Sequence, residues 1–502
     1  MRYYFILFFC ITLNILTCEH LFGVELPEIF ADHAVFQRDQ AVPVWGTGKP
    51  GEKIKVSFAG QEHSAQADTN GLWRVELSPM KASAEGRELV VVGNNTLRRA
   101  DILVGEVWLC SGQSNMTAGG RTRCWSRTGS VIPQSARKDS LARVYRGPGR
   151  NKPVGWSIIT SGGNIPGCLA VSLCKELEVP VGTADISIGG SSIQGWLRKE
   201  LVSEEVAADK RARGAPSVMD TKYLRPVEGY GIRGFVWLQG EANIQQYDLY
   251  TDLKQLLVND WRKRWGKPLP FHFGQIATYC RPLETQARQP GKRTHLSRPG
   301  LYFLDAQWRY CLRDSNSTMA VTVDLGDACH YASKTDTAAR MAMGILAREY
   351  GRKDIVWQAP TLRSAERSGE NITIELDHAE GLHAASVEMI SAEEAESVTL
   401  GKDGVIIKRA ESRKDDKTLV IRKASGQSPL GFAVETADGS WYEVAAVING
   451  SSVTLTIPSG VEPIAVAGGV VFADGPDGKS KSYLPNCYNK DSLPLVSFYE
   501  KL

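Results

Sequence analysis

The sequence predicts an α/β protein: a parallel sheet with helices on both faces, flanked by two β-rich regions. Three observations carry that expectation. Short, nearly continuous apolar runs at 102–109, 181–188, 232–238, 271–276 and 319–323 suit strands buried on both faces. Helical periodicities lie between and after them. Tyr247, Tyr250, Leu253, Leu257 and Trp261 recur at three and four, and Ala338, Met341, Ala342, Ile345 and Leu346 share one face of 334–350. On either side of this block, polar and apolar residues alternate with period two, as in half-buried strands.

The chain fills in this plan from its beginning. Arg2 precedes an apolar stretch at 3–16 that only Thr12 and Asn14 interrupt. That is the length of a secretory leader and too short for a comfortable membrane span. Residues 1–23 are expected to be a signal peptide, cleaved between Thr17 and Val24, and the mature chain secreted or periplasmic. Leu16-Thr17-Cys18 is a weak lipoprotein box, which leaves lipidation at Cys18 open. No later run reaches membrane-spanning length.

Residues 24–100 read as a small antiparallel sandwich. Residues 53–58 alternate with period two, Asn70-Gly71 is a hairpin signal, and Trp73, Val75 and Leu77 alternate after it. Pro43 places 42–46 near an edge. Residues 101–350 are the central domain, with 117–164 and 280–300, rich in Arg, Gly, Ser and Pro, expected as surface loops. Residues 351–502 return to β: Ile372, Ile374 and Leu376 alternate, and Asp438-Gly439 marks a turn before Trp441.

Charge and cysteines narrow the function classes. The 59 basic and 56 acidic residues leave a formal charge of +3 without a long basic run, which argues against nucleic acid as a partner. Of ten cysteines, eight remain once Cys10 and Cys18 leave with the leader. No CxxC pair or Cys/His cluster has zinc spacing, so no metal and no cofactor is expected. Cys168 and Cys174 suit packed side chains, and Cys329, beside His330, is the one whose oxidation would touch function.

The chemistry is expected where the first central run ends. Residues 102–116 read ILVGEVWLCSGQSNM. The run stops in Cys110-Ser111-Gly112-Gln113-Ser114-Asn115, past the carboxyl end of a buried strand, where open α/β sheets hold their ligands. Gly112 permits a tight turn, and backbone N–H groups beyond it can face an oxyanion. A G-x-S-x-G elbow is absent, because Met116 stands at the second glycine position. His330 follows the run 319–323 and lies three residues after Asp327. That spacing lets a carboxylate hold one imidazole nitrogen while the other acts as base. Asp324, six residues before His330, competes for this role. Three residues span at most about 10 Å and one turn closes the gap, which favours Asp327.

Four blocks, Ser114 in Gly-Gln-Ser-Asn-Met, Gly189-Gly190-Ser191, Gly240-Glu241-Ala242-Asn243 and Asp327-Ala328-Cys329-His330, resemble those of the SGNH (GDSL-like) hydrolases. Within that superfamily they are most similar to the sialate O-acetylesterase branch of carbohydrate esterases. The resemblance implies a three-layer α/β/α hydrolase domain with the two β regions packed beside it. It implies Ser114 as nucleophile, His330 as base and Asp327 as its orienter. Oxyanion donors would be the Ser114 N–H, Gly189 (Gly190 if the register shifts by one) and the Asn243 amide, which could instead cap a helix. Gln239, Glu241, Trp196 and Arg121 are candidate sugar contacts, Trp196 being equally suited to a core. The family commonly has Glu-Ser-Asn where this chain has Glu241-Ala242-Asn243, and often His-Pro where it has His330-Tyr331. The implied activity is a secreted carbohydrate O-acetylesterase acting on sialic acid or related acetylated sugars without a cofactor. Polysaccharide deacetylation, as of xylan, and an inactive carbohydrate-binding homologue are the alternatives.

Overall fold

A single strand carries the chain from the first β region into the central sheet. The computed structural model describes residues 23–117, 141–148, 154–159, 164–211, 214–277, 293–294, 298–325, 330–331, 334–399, 404–410, 417–470, 472–473, 482–483 and 485–502. Strand β1 (Thr96–Gly112) alternates between exposed and half-buried over its first six residues and is buried throughout the remaining eleven. The change from alternation to continuous burial marks its passage from a solvent-facing sheet to a doubly covered one. Its first half pairs antiparallel with Ser83–Val92, and Val35–Gln37 joins it in parallel at Leu103.

A second small sheet pairs Val42–Thr47 with Leu72–Leu77, and Val44, Val56, Trp73, Val75 and Val91 are buried in this region. Here Asn70-Gly71 does turn the chain, since the Gly71 N–H donates to the Asp68 carbonyl at 2.9 Å. It closes no hairpin, however. The following strand leaves its predecessor and pairs with Val42–Thr47. A tight turn sets local direction; the buried alternation of Trp73, Val75 and Leu77 sets the partner.

The central sheet contains β1, β2 (Ala142–Arg146), β3 (Gly155–Ile158), β4 (Val181–Asp185), β5 (Gly234–Leu238), β6 (Phe271–Gly274) and β7 (Ser317–Ala320), in the order β7-β6-β5-β1-β4-β2-β3. All neighbours are parallel except the β2–β3 edge. β2 and β3 lie within a stretch expected as loop. The buried Arg143 of β2, ion-paired to Asp101 at 3.3 Å, puts a charge in what would otherwise read as a strand.

The helices that matter for the sheet and the site are α1 (Ser114–Thr117), α2 (Ile165–Leu177), α3 (Tyr247–Trp265), α4 (Arg298–Arg313) and α5 (Lys334–Glu349). Alternate strand residues serve opposite faces. Trp108, Cys110, Val236 and Leu238 pack with Leu169, Met341 and Ile345, on the α2 and α5 side. Val107, Leu109, Phe235 and Trp237 pack with Tyr250, Leu257, Trp261 and Tyr310, on the α3 and α4 side. The three expected layers are present.

The C-terminal residues form antiparallel sheets. One contains Thr361–Ser368, Asn371–Asp377, Ser452–Thr456 and Ala445–Asn449. In another, Phe432–Thr436 and Trp441–Glu443 are joined through Asp438-Gly439, and β8 (Phe498–Lys501) lies at the edge. Arg293–Thr294 extends this sheet from within the central region. Arg309 of α4 donates to the Tyr499 carbonyl at 2.9 Å, so the last strand is tied to a hydrolase-layer helix. No helix of the described residues is long and apolar enough to cross a membrane.

Candidate active site

β1 ends at the middle of the sheet, between β4 and β5. Gly112 turns the chain with φ at 129°, and a Cβ there would run into the Leu238 carbonyl oxygen. The Gln113 N–H donates to that same carbonyl at 2.9 Å. Ser114 then opens α1, half-buried between the buried Gln113 and Asn115.

The loop after β4 closes one side. The Ile188 N–H and the Ser191 hydroxyl both donate to the Gly112 carbonyl, at 3.0 and 3.2 Å. A Cβ built on Gly189 would lie 3.5 Å from the Ser114 Cβ, so its backbone lies against the serine side chain. Gly190, at φ 74°, makes the turn and faces open space. Among the described residues the Gly189 N–H has no backbone acceptor. Asp185 braces this loop: its buried carboxylate accepts from the Ser187 N–H at 3.1 Å, the Ser187 hydroxyl, and the Asn164 amide at 2.8 Å. Burial raises its pKa against those donors.

The loop after β5 closes the other side. Gln113 Oε1 accepts from the Gly240 and Ala242 N–H groups at 3.4 and 3.2 Å, stapling this loop to the nucleophile turn. Asn243 is fully buried and does not face the serine. Its Nδ2 donates to Gln194 at 2.8 Å and Gln246 at 2.7 Å, while Oδ1 accepts from the Ile193 N–H at 2.9 Å and Gln239 at 2.7 Å. Ile193 N–H can only donate, which fixes the amide orientation, and both amide hydrogens are therefore committed. Asn243 is neither an oxyanion donor here nor a helix cap, since Gly240 occupies the cap of the 3₁₀ turn Glu241–Gln246.

Two expected sugar contacts are also interior. Gln239 is fully buried, donating to the Ser191 carbonyl at 3.1 Å and accepting from the Tyr250 hydroxyl at 2.9 Å. Trp196 is fully buried against Trp237 and Trp261, its indole N–H on Ser191 Oγ at 3.0 Å. Both shape the loop that carries Gly189 rather than a surface a sugar can reach. Arg121 lies outside the described residues.

Glu241 stands differently. The residue is half-buried, but its Oε2 atom is shielded and without a hydrogen-bond partner among the described residues. Its Oε1 accepts from the Asn115 amide, and Asn115 Oδ1 accepts from the Lys334 ammonium. Burial raises the Glu241 pKa, opposed by Asn115 and by the Lys334 charge. Lys334, at the start of α5, is buried with its Nζ 3.7 Å over the Tyr331 ring. The residue before that tyrosine is His330, exposed in a turn. Lys334 thus clamps the histidine loop to the residue following Ser114. Sequence reasoning missed this clamp: a lysine opening a helix ordinarily reads as solvated.

Asp327 and Cys329 lie outside the described residues. The competing Asp324 is engaged by Arg340 and Tyr488. It is buried, paired with Arg340 at 2.6 and 2.8 Å, and accepts from the Tyr488 hydroxyl at 3.1 Å. It joins α5 and the C-terminal region to the end of the sheet.

Residues 104–332, from within β1 to just past His330, match the family described as carbohydrate esterase, sialic acid-specific acetylesterase. The chain is 26% identical to mouse sialate O-acetylesterase over 443 residues, covering 71% of this chain and 79% of that protein. With the human sialate O-acetylesterase the identity is 27% over 392 residues, covering 67% and 73%. The fold is shared with a solved carbohydrate acetylesterase from Xanthomonas citri, at a TM-score of 0.70 and 24% identity, covering 95% of this chain and 99% of that one. The protein is an ester hydrolase of the carbohydrate esterase type.

Proposed function

We propose that the protein removes O-acetyl groups from a sugar through an acyl-enzyme on Ser114. The observation that carries this reading is Ser114 at the carboxyl end of the central strand, with the Gly189 backbone against its side chain. Ser114 Oγ attacks the acetyl carbonyl and passes its proton to His330, oriented by Asp327. The oxyanion is received by the Ser114 and Gly189 N–H groups. His330 protonates the departing sugar oxygen as the intermediate collapses to the acetyl-enzyme; water, deprotonated by His330, then attacks the acetyl carbonyl, and Ser114 Oγ leaves with that proton as acetate is released. Of the expected sugar contacts, Glu241 is half-buried and hydrogen-bonded to Asn115 beside the nucleophile, which suits its side chain to the sugar end of the site. The apolar stretch expected as a leader would suit export to a location where acetylated glycans are met.

The test is a product assay across acetylated sialic acids, acetylated xylo-oligosaccharides and pectin fragments. Acetate release abolished by Ser114→Ala, with a serine-reactive phosphonate labelling Ser114, supports the reading. Labelling at Ser111, or activity that survives Ser114→Ala, rejects it.

A further inference from the structure

We propose a second binding site: a groove between α3, α4 and β8 that holds a neutral sugar chain beyond the acetylated residue. It deepens, and rests on, the acetyl-sugar reading above. The cavity has a volume of about 440 Å³. Three elements line it, each at its own same-face spacing. α3 gives Tyr247 and Thr251, α4 gives Tyr302, Ala306 and Arg313, and β8 gives Tyr499 and Lys501. The floor is pinned where the Thr251 hydroxyl donates to the Ala306 carbonyl at 3.0 Å.

Aromatic faces and balanced charge define the ligand. Tyr247 and Tyr302 have ring centroids 5.1 Å apart, and Tyr302 and Tyr499 are 4.9 Å apart, making a continuous run of three half-buried rings. Aromatic rings beside paired polar groups suit sugars, whose C–H faces pack on rings while hydroxyls find donors and acceptors. The wall carries three acids, Asp248, Asp252 and Asp305, and three bases, Arg309, Arg313 and Lys501, so its formal charge is zero. The arginines are already matched: Arg309 with Asp305 and Arg313 with Asp252, both at 2.6 Å. A sialic or uronic acid carboxylate would compete with those carboxylates; a neutral pyranose hydroxyl fits between them.

The groove opens at the start of α3, six residues beyond Glu241 in the chain. Tyr247 directly follows the 3₁₀ turn that begins at Glu241, about 12 Å at 2 Å per residue. From Tyr302 to Arg313 the α4 wall runs about 16 Å. A chain whose acetylated residue sits at Ser114 can therefore continue past Glu241 into the groove.

Tyr302→Ala and the double variant Tyr247→Ala/Tyr302→Ala test this, with Tyr302→Phe retaining the ring. Turnover of p-nitrophenyl acetate should stay within twofold, while KM for acetylated xylo-oligosaccharides rises about two- to tenfold per ring removed. Tyr302→Phe should restore most of it. Equal loss on both substrates, or no change on either, overturns the groove. Direct titration of the Ser114→Ala protein with xylohexaose and with sialyllactose is independent of turnover. Binding of xylohexaose that Tyr302→Ala weakens supports the proposal even if the esterase reading fails. Preference for sialyllactose, or indifference to Tyr302→Ala, rejects it.

Discussion

Two lysines are buried among the described residues, and their surroundings differ. Lys334, beneath the histidine loop, packs on the Tyr331 ring and donates to Asn115, whose amide holds Glu241. Lys254, in the middle of α3, lies 2.9 Å over the Phe273 ring centroid, with Tyr310 at 4.8 Å, and its Nζ has no hydrogen-bond partner among the described residues. Burial drives the Lys254 pKa well below the ordinary lysine value, so the fold favours its neutral form. Burial alone therefore does not mark function. A buried charge wired through polar groups to the nucleophile turn organises a site; one packed over rings without a hydrogen bond among the described residues is a load the core carries.

The largest expected effects separate the two aspartates on the same terms. Asp327→Asn should reduce turnover by about 10⁴ with KM little changed. Asp324→Asn should instead cost about 3–5 kcal/mol of stability, because Arg340 is left buried without its partner. Rate and melting temperature measured on the same samples decide; a folded Asp324→Asn enzyme with the greater rate loss would reverse the assignment.

The lysines come next. Lys334→Met should lower kcat about 10- to 100-fold and move the pH–rate profile, since the charge opposing protonation of Glu241 is gone. Lys254→Met should leave the rate alone and raise the melting temperature. Its folded-state pKa is depressed below 10.5, so below that pH the unfolded chain gains the proton more readily and Lys254 destabilises the fold. The gain from Lys254→Met should accordingly shrink as pH climbs toward 10.5. Equal kinetic damage from both substitutions would erase the distinction between the two sites.

Asn243→Ala should act as a core change: about 1–3 kcal/mol of stability lost, as its four partners are orphaned, with turnover per folded molecule falling far less than the 10²–10³ of a lost oxyanion donor. Smallest is an acid effect. His272 is buried and its pKa is lowered to about 3 from 6.5. Below 6.5 the unfolded chain binds a proton the fold refuses, so stability falls as pH drops from 6.5 toward 3. In His272→Gln, chemical denaturation should show a shallower slope across that window.

Much of the fold was legible because continuous apolar runs and three-four periodicity reflect burial directly. Strands β4, β5 and β6 and helices α3 and α5 begin within two residues of where those patterns place them. β2 escaped because Arg143 is charged yet interior, a pairing with Asp101 that only the folded chain reveals. In the site, the Gly189 backbone lies against the Ser114 side chain. Asn243, Gln239 and Trp196 did not take their expected roles, because polar residues that build a loop and polar residues that face a substrate look alike in sequence. Asn115, Asp185 and Lys334 gave no signal, since their partners lie 126, 21 and 219 positions away.

Strand β1 has a consequence for synthesis. Its inner half is buried throughout, and its β5 neighbour pairs Leu238 with Gly112. At a ribosomal pace of about 5–20 residues per second, the 126 intervening residues take roughly 6–25 s to appear. Its outer half can already pair with Ser83–Val92, upstream in the chain. The first β region thus serves as an early template that holds one end of β1 while the other waits, and a chain begun at residue 101 would reach that interval with nothing to hold it.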